Sequence, residues 1–327
     1  MTEGADVTEI HHSSHVRITR CSGCIARRRF SLHRAHLFTP RCPHDPSRAL
    51  SGQARGMGAL EIHLARHWGV IRARDLRSLG VGPRELRRLI DAGTLMRCAR
   101  GVYAAPSAER DVVHAARRFT TLTCLSACHA HGLWVWHQPF PPHVLRADGP
   151  PIRGAVVHRG VRDPHEQVAG VLDALVTAFR CAPPREAIVA AESAVVQHRI
   201  TVDDLVAAFP GQRDRRIRAS ISRIRATGQS LPETLARLAL EDAGLTMRPQ
   251  VFIEGVGHVD GMVDGLVCEI DGRAFHSGPV EFEEDRRRWN ALMELGIPTV
   301  RIPARWVLAD PDAAVVTVRR VLARRGG

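Results

Sequence analysis

Asp260, Glu269 and Asp271 fall within the run Gly257 to His276, with eight residues between the first two carboxylates and one between the last two. Acidic groups held this close repel unless a cation lies among them. A hard divalent ion such as Mg²⁺ (or Mn²⁺) takes oxygen ligands and keeps several waters. It can polarise a scissile phosphate, lower the pKa of a bound water and orient in-line attack. The three residues are therefore candidate metal ligands for phosphodiester hydrolysis.

The surrounding pattern indicates how they are positioned. Val251-Phe252-Ile253, His258-Val259-Asp260 and Leu266 to Ile270 read as strands separated by Glu254-Gly255 and Asp264-Gly265 turn signals, which predicts an antiparallel meander. Side chains alternate along a strand, so Val267, Glu269 and Asp271 share one face, within reach of Asp260 on the neighbouring strand. Upstream, a helix is expected to open near Ser230, with Pro232 and Glu233 in its first turn, and to stop at Gly244.

A second pattern lies near the other end of the chain. Leu60, Leu64 and Trp68 form one helical stripe, Arg74 to Leu79 a second short helix, and Pro83 opens a third whose Leu86, Leu89 and Ile90 point inward. Arg84, Arg87 and Arg88 are left on the outer face, and the hairpin-like TLMRCARGVY adds Arg97 and Arg100. This is the layout of a winged helix-turn-helix, in which one helix enters the major groove and the wing contacts phosphate. Those five arginines are the expected DNA contacts there, and residues 58–106 hold nine arginines against four acids.

The whole chain agrees with an acidic polymer as partner. All 46 basic residues are arginine, with no lysine, and the net charge is +12. Nucleic acid is favoured over membrane because no basic amphipathic anchor accompanies the charge. No apolar run approaches the ~18 residues of a membrane span, and the first residues are too acidic and polar for a secretory signal, so a cytoplasmic protein is expected. Eight cysteines in 327 residues are too sparse for a disulfide scaffold.

Residues 1–56 carry nine arginines, six histidines and three cysteines without apolar periodicity, which predicts disorder. Cys21 and Cys24 have zinc-like spacing, but His33, His36 and Cys42 supply no regular second pair. A native start at about Met57 stays open. Residues 107–229 read as a mixed α/β segment: an amphipathic helix in TTLTCLSACHAHGL, short strands in PHVLRA and GAVVHRG, and helices after them. Thr201 is a candidate helix cap. The basic run Arg213 to Arg225 suits either a DNA backbone or a solvated helix face.

Two families are resembled on these motifs. Val70-Ile71-Arg72-Ala73-Arg74-Asp75-Leu76 and Arg100-Gly101-Val102-Tyr103 resemble the N-terminal winged helix of AbiEi-type antitoxins. Residues 230–325 resemble the Vsr-like endonuclease domains of the PD-(D/E)xK restriction-endonuclease superfamily. The matching motifs there are Ser230-Leu231-Pro232-Glu233, Val259-Asp260, Glu269-Ile270-Asp271-Gly272-Arg273 with His276, Asp285-Arg286-Arg287-Arg288, Leu292 to Gly296, and Thr299-Val300-Arg301-Ile302. The resemblance implies metal binding by Asp260 and Glu269, supplemented by Glu233 and Asp271.

Asp271 occupies the place where the superfamily usually has lysine, and so supplies neither positive charge nor a titratable amine. Arg273 or Arg287 can direct charge at phosphate, while His276 can orient water or protonate the leaving oxygen. Trp289-Asn290 departs from the family's usual acid. The expected protein is α+β and multidomain. It has an extension (1–56), a winged helix-turn-helix (57–106), a mixed α/β middle domain (107–229) and a restriction-endonuclease-like α-βββ-α-β-α core (230–327). The expected function is DNA binding with Mg²⁺-dependent DNA cleavage in a defence or toxin–antitoxin setting. The alternative is an antitoxin-like repressor with a non-catalytic nuclease fold.

Overall fold

The structure is a computed structural model that describes residues 58–161, 166–272 and 279–325. Expectations for residues 1–56, Arg273 and His276 lie outside the described residues. The chain is α+β, with three sheets, and divides into two compact units. The first takes the described residues to Leu122 together with Phe140–Val168, and the second takes Thr123–Pro139 and Ala169 onward. The middle segment is thus shared between them, its strands in the first unit and most of its helices in the second.

In the first unit, α1 (Ala59–Arg66), β1 (Val70–Arg72), α2 (Ala73–Ser78), α3 (Pro83–Asp91), β2 (Met96–Ala99) and β3 (Val102–Ala104) follow in order. The strands form an antiparallel sheet of order β1-β3-β2. Leu64, Ile71, Leu76, Leu95 and Tyr103 make its core, with Leu60, Leu86, Leu89 and Ile90 packed against them. Trp68 is not on the first helix as expected. The helix ends at Arg66, and Trp68 and Gly69 adopt left-handed φ values of 51° and 78° that turn the chain into β1. Then come α4 (Arg110–Arg117) and a second sheet. β4 (Thr121–Leu122) lies antiparallel to β5 (His143–Arg146), which is parallel to β6 (Val156–Arg159).

The second unit begins at α5 (Cys124–Ala130), where the expected amphipathic helix proves to be a short strand followed by a helix buried at six of seven positions. The run has no charged residue to face water, and its β-branched threonines favour the strand. His131 on the following turn places Nε2 2.8 Å from the Ala169 carbonyl, and burial pushes the Cys128 thiol up to about 12. Next come α6 (Val171–Cys181), α7 (Pro184–Val196) and α8 (Val202–Ala207), the last capped by Thr201 as expected.

The basic run occupies a 3₁₀ turn (Gln212–Asp214), α9 (Arg215–Ile221) and the loop after it. Part of it is structural: Arg218 donates to the Phe209 and Gly211 carbonyls (2.6 and 2.7 Å), and Arg223 pairs with Glu241 (3.0 Å). Arg213, Arg215 and Arg216 stay exposed.

The rest of the unit runs α10 (Leu231–Asp242), β7 (Arg248–Ile253), β8 (Gly257–Val263), β9 (Leu266–Asp271), α11 (Pro279–Glu294), β10 (Thr299–Pro303), α12 (Ala304–Ala309) and α13 (Asp312–Arg325). β7, β8 and β9 form the predicted antiparallel meander, and β10 joins β9 in parallel, giving the order β10-β9-β8-β7. The two-residue turn at Asp264-Gly265 has positive φ at both positions (46° and 72°). This is the primed geometry that Asp-Gly favours, and it fixes the β8–β9 register.

A buried ion pair fastens α10 to α7. Glu192, fully buried, accepts from Arg237 Nη2 (2.6 Å), Thr234 Oγ1 (2.6 Å) and the Arg225 amide (2.8 Å), and Arg237 also donates to Glu241 (2.7 Å). Position 228 must be glycine for this packing: a Cβ there would stand 2.7 Å from Glu192 Oε1. Among the described residues, no helix is long and apolar enough to cross a membrane.

Candidate functional site

Register alone brings the first two carboxylates together. The β8–β9 ladder pairs Gly261 with Cys268, so the next position along sets Asp260 beside Glu269. Asp260 Oδ2 accepts from the Ile270 amide (2.7 Å), and the Asp260 amide donates to Glu269 Oε2 (3.4 Å). The first turn of α10 adds Glu233. Ser230 caps that helix by accepting from the Glu233 amide (3.4 Å) and donating its hydroxyl to Glu233 Oε1 (2.6 Å). All three acids are half-buried.

Their acidities show what this arrangement costs. Burial raises Glu233, and the Asp260 charge raises it further. Burial likewise raises Asp260 and lifts Glu269 to about 7, with Asp260 again the next cause. Hard oxygen donors whose ionisation is opposed by burial and by one another suit a divalent cation, which would remove the mutual repulsion. Asp260 and Glu269 are adjacent oxygen donors of the kind Mg²⁺ or Mn²⁺ takes, and Glu233 lies near enough for the Asp260 charge to act on it.

A pH prediction follows from the Glu269 shift. Its folded pKa lies above the unfolded value, so its favourable contribution is complete below about 4.3 and is lost as pH rises through about 7. Cation-free protein should therefore lose stability between those limits, and Glu269→Gln should lose less. Thermal melts of both proteins at pH 5 and pH 8 check this, and a divalent cation should raise the wild-type melting temperature more at pH 8.

Other expected site residues are placed differently. Asp271 pairs with Arg301 (3.7 Å), so its charge is directed at that guanidinium. Arg287, a candidate for phosphate-directed charge, lies away from the carboxylates. It is exposed, forms an i,i+3 pair with Glu284 (2.6 Å), and lines a shallow depression with Glu254, Asn290, Ala291 and Leu295. Its neighbour does reach the site: Arg288 Nη2 donates to Glu269 Oε1 (3.3 Å) and to the His258 carbonyl (2.6 Å). One residue of helix rotates the side chain by about 100°, which separates the two roles.

Gln250 was not foreseen. It stands opposite Asp260 on β7, in a left-handed conformation (φ 50°), and donates Nε2 to Glu233 Oε2 (3.1 Å). Gln229 Nε2 in turn donates to Gln250 Oε1 (2.9 Å). Left-handed backbone in a non-glycine residue stores strain of about 1–3 kcal/mol, and here it lies against the carboxylates. The sequence offers no signal for it, because glutamine has no special affinity for that conformation.

In the first unit, α2 and α3 are joined by a short turn, and the outer face of α3 exposes Arg84, Arg87 and Arg88. Arg97 on β2 and Arg100 at the hairpin tip are exposed as well. Among the described residues, Arg88 pairs with the exposed Glu85 (3.4 Å), an interaction of small net strength. The face is basic, solvated and available for phosphate.

Comparison with known proteins bears on this unit. Residues 59–106 match the family described as "Transcriptional regulator, AbiEi antitoxin", which supports a DNA-binding regulatory role. Over 259 residues the chain is 28% identical to two Mycobacterium tuberculosis proteins, uncharacterized protein MT2308 of strain CDC 1551 and uncharacterized protein Rv2248 of strain H37Rv. Each alignment covers 71% of this chain and 94% of the relative.

Proposed function

We propose that this is a DNA-binding protein that hydrolyses phosphodiester bonds at a divalent-cation site formed by Asp260 and Glu269, with Glu233 as supplement. The carrying observation is that the β8–β9 register sets the half-buried Asp260 and Glu269 carboxylates side by side with Glu233 nearby, and that the pKa values of all three are raised. The order α10, β7-β8-β9, α11, β10, α12 is consistent with the endonuclease-like core expected from the sequence.

When bound, Mg²⁺ or Mn²⁺ would polarise the phosphate and acidify a water. Glu269, set beside Asp260 by the β8–β9 register, would hold the ion through its carboxylate. Asp260 is fixed for its part by the Ile270 amide. Asp271 fills the usual lysine position by holding Arg301. By sequence position, His276 would orient water or protonate the leaving oxygen, and Arg273 or Arg287 would direct charge at phosphate.

Incubating the purified chain with supercoiled plasmid and Mg²⁺ tests the activity, with an RNA substrate alongside. Nicking above the level seen with chelator is expected. A second function, repression without cleavage, is favoured by the match of residues 59–106 to a transcriptional regulator. That role leaves DNA intact in the same assay while DNA binding persists.

Both functions place DNA on α3 and the β2–β3 hairpin. Replacing Arg84, Arg87 and Arg88 together by alanine should weaken duplex binding. It should also flatten the dependence of log affinity on log salt by about 2–3 units, one counterion contribution per lost phosphate contact. Fluorescence anisotropy across a salt series reads the slope; an unchanged slope would exclude this face from DNA contact.

A further inference from the structure

The carboxylates are flanked by two arginines from outside the acidic motif. Arg288 reaches Glu269 from α11. Arg301 stands on β10 in parallel register with Glu269, pairs with Asp271, and holds its guanidinium 5.7 Å from the centre of the Trp289 ring. Both guanidinium charges oppose the upward shift that burial imposes on Asp260. Their side chains are 30% and 35% exposed, enough to meet a ligand arriving from solvent.

The ion pairs themselves are weakly made. At 3.3 and 3.7 Å they are longer than the roughly 2.7–2.9 Å of a strong charge-assisted bond. A guanidinium is permanently charged and forked, and it fits a phosphate at least as well as it fits a carboxylate. A cation drawn to Glu269 would cancel the charge that holds Arg288 and add a like charge beside both arginines. Arg288 would keep its bond to the His258 carbonyl and could turn its remaining N–H groups to an anion.

We propose that Arg288 and Arg301 are the phosphodiester-binding half of the site, Arg288 being latched by Glu269 until a divalent cation takes that carboxylate and releases it. This rests on the carboxylates being a cation site, and it makes cation and phosphate bind cooperatively. Linkage requires the effect to be reciprocal.

The test uses the full chain carrying Arg84→Ala, Arg87→Ala and Arg88→Ala, so that α3 contributes little. A fluorescein-labelled oligothymidylate is titrated by anisotropy with and without Ca²⁺, and cation uptake is followed separately by Tb³⁺ luminescence. Ca²⁺ should tighten oligonucleotide binding about tenfold. Adding Arg288→Gln and Arg301→Gln should abolish the tightening while uptake persists. Arg288→Lys with Arg301→Lys, which keeps the charges but not the forks, should retain only part of it.

Glu269→Gln supplies the distinctive outcome. It should lose cation uptake yet bind oligonucleotide severalfold more tightly without cation, because the latch is open. Glu294→Gln, which removes one exposed acid from α11, should not. Full tightening in the arginine variants, or equal cation-free affinity in Glu269→Gln and Glu294→Gln, would overturn the latch. Absence of cation uptake in the parent chain would remove the cation site and the latch together, whereas cleavage with uncoupled binding would remove the latch alone.

Discussion

Asp260→Ala and Glu269→Ala should each lower Mg²⁺-dependent plasmid cleavage by about 100-fold or more. Groups that merely support a metal ligand cost about 10- to 100-fold when removed, and these two residues are the proposed ligands. Asp260→Asn refines the comparison: its amide oxygen can still accept from the Ile270 amide, while the charge is gone. Loss of cleavage in this variant would therefore reflect charge and not strand geometry.

Stability and activity are expected to move in opposite directions here. Removing a carboxylate whose ionisation is opposed by its surroundings relaxes the cation-free fold at neutral pH. A Glu269→Gln protein that melts higher and cleaves less cannot owe its inactivity to unfolding. Wild-type cleavage rates in both alanine variants would sink the enzyme assignment.

The largest expected loss of stability lies away from the site, at Arg237. Arg237→Leu should destabilise the second unit by about 3–5 kcal/mol, because it leaves the Glu192 carboxylate buried without its counter-charge. The double variant Glu192→Leu with Arg237→Leu should cost less than the two single changes added together. It removes the stranded charge, while Thr234 and the Arg225 amide still lose an acceptor at about 1 kcal/mol each. Denaturant unfolding monitored by tryptophan fluorescence suits the measurement, since four of the five tryptophans belong to this unit. Additive effects would mean that the pair is not coupled.

Features set by neighbouring residues could be read from the sequence. Asp264-Gly265 specifies a tight turn, the turn specifies register, and register places Asp260 beside Glu269. Ser230 and Glu233 declare a helix start in the same local way. The arginines that complete the site are different in kind. Arg288 could be told from Arg287 only by knowing which face of α11 lies on the sheet, and Arg301 matters because β10 crosses over to pair with β9. Glu192 looks like any helical acid until Thr234, Arg225 and Arg237 are gathered around it. The division of residues 107–229 is not legible locally, because its strands belong with one unit and most of its helices with the other.

Glu233 carries one further consequence. A carboxylate offers roughly four lone-pair positions, and three donors already use this one: Ser230 at Oε1, and the Gln229 amide and Gln250 side chain at Oε2. One position on Oε1 is left. Glu233 can thus meet an ion through a single oxygen or a bridging water, but gripping it with both oxygens would unfasten the start of α10. Ligand and helix compete for the same electrons, and that competition limits how tightly the site can close.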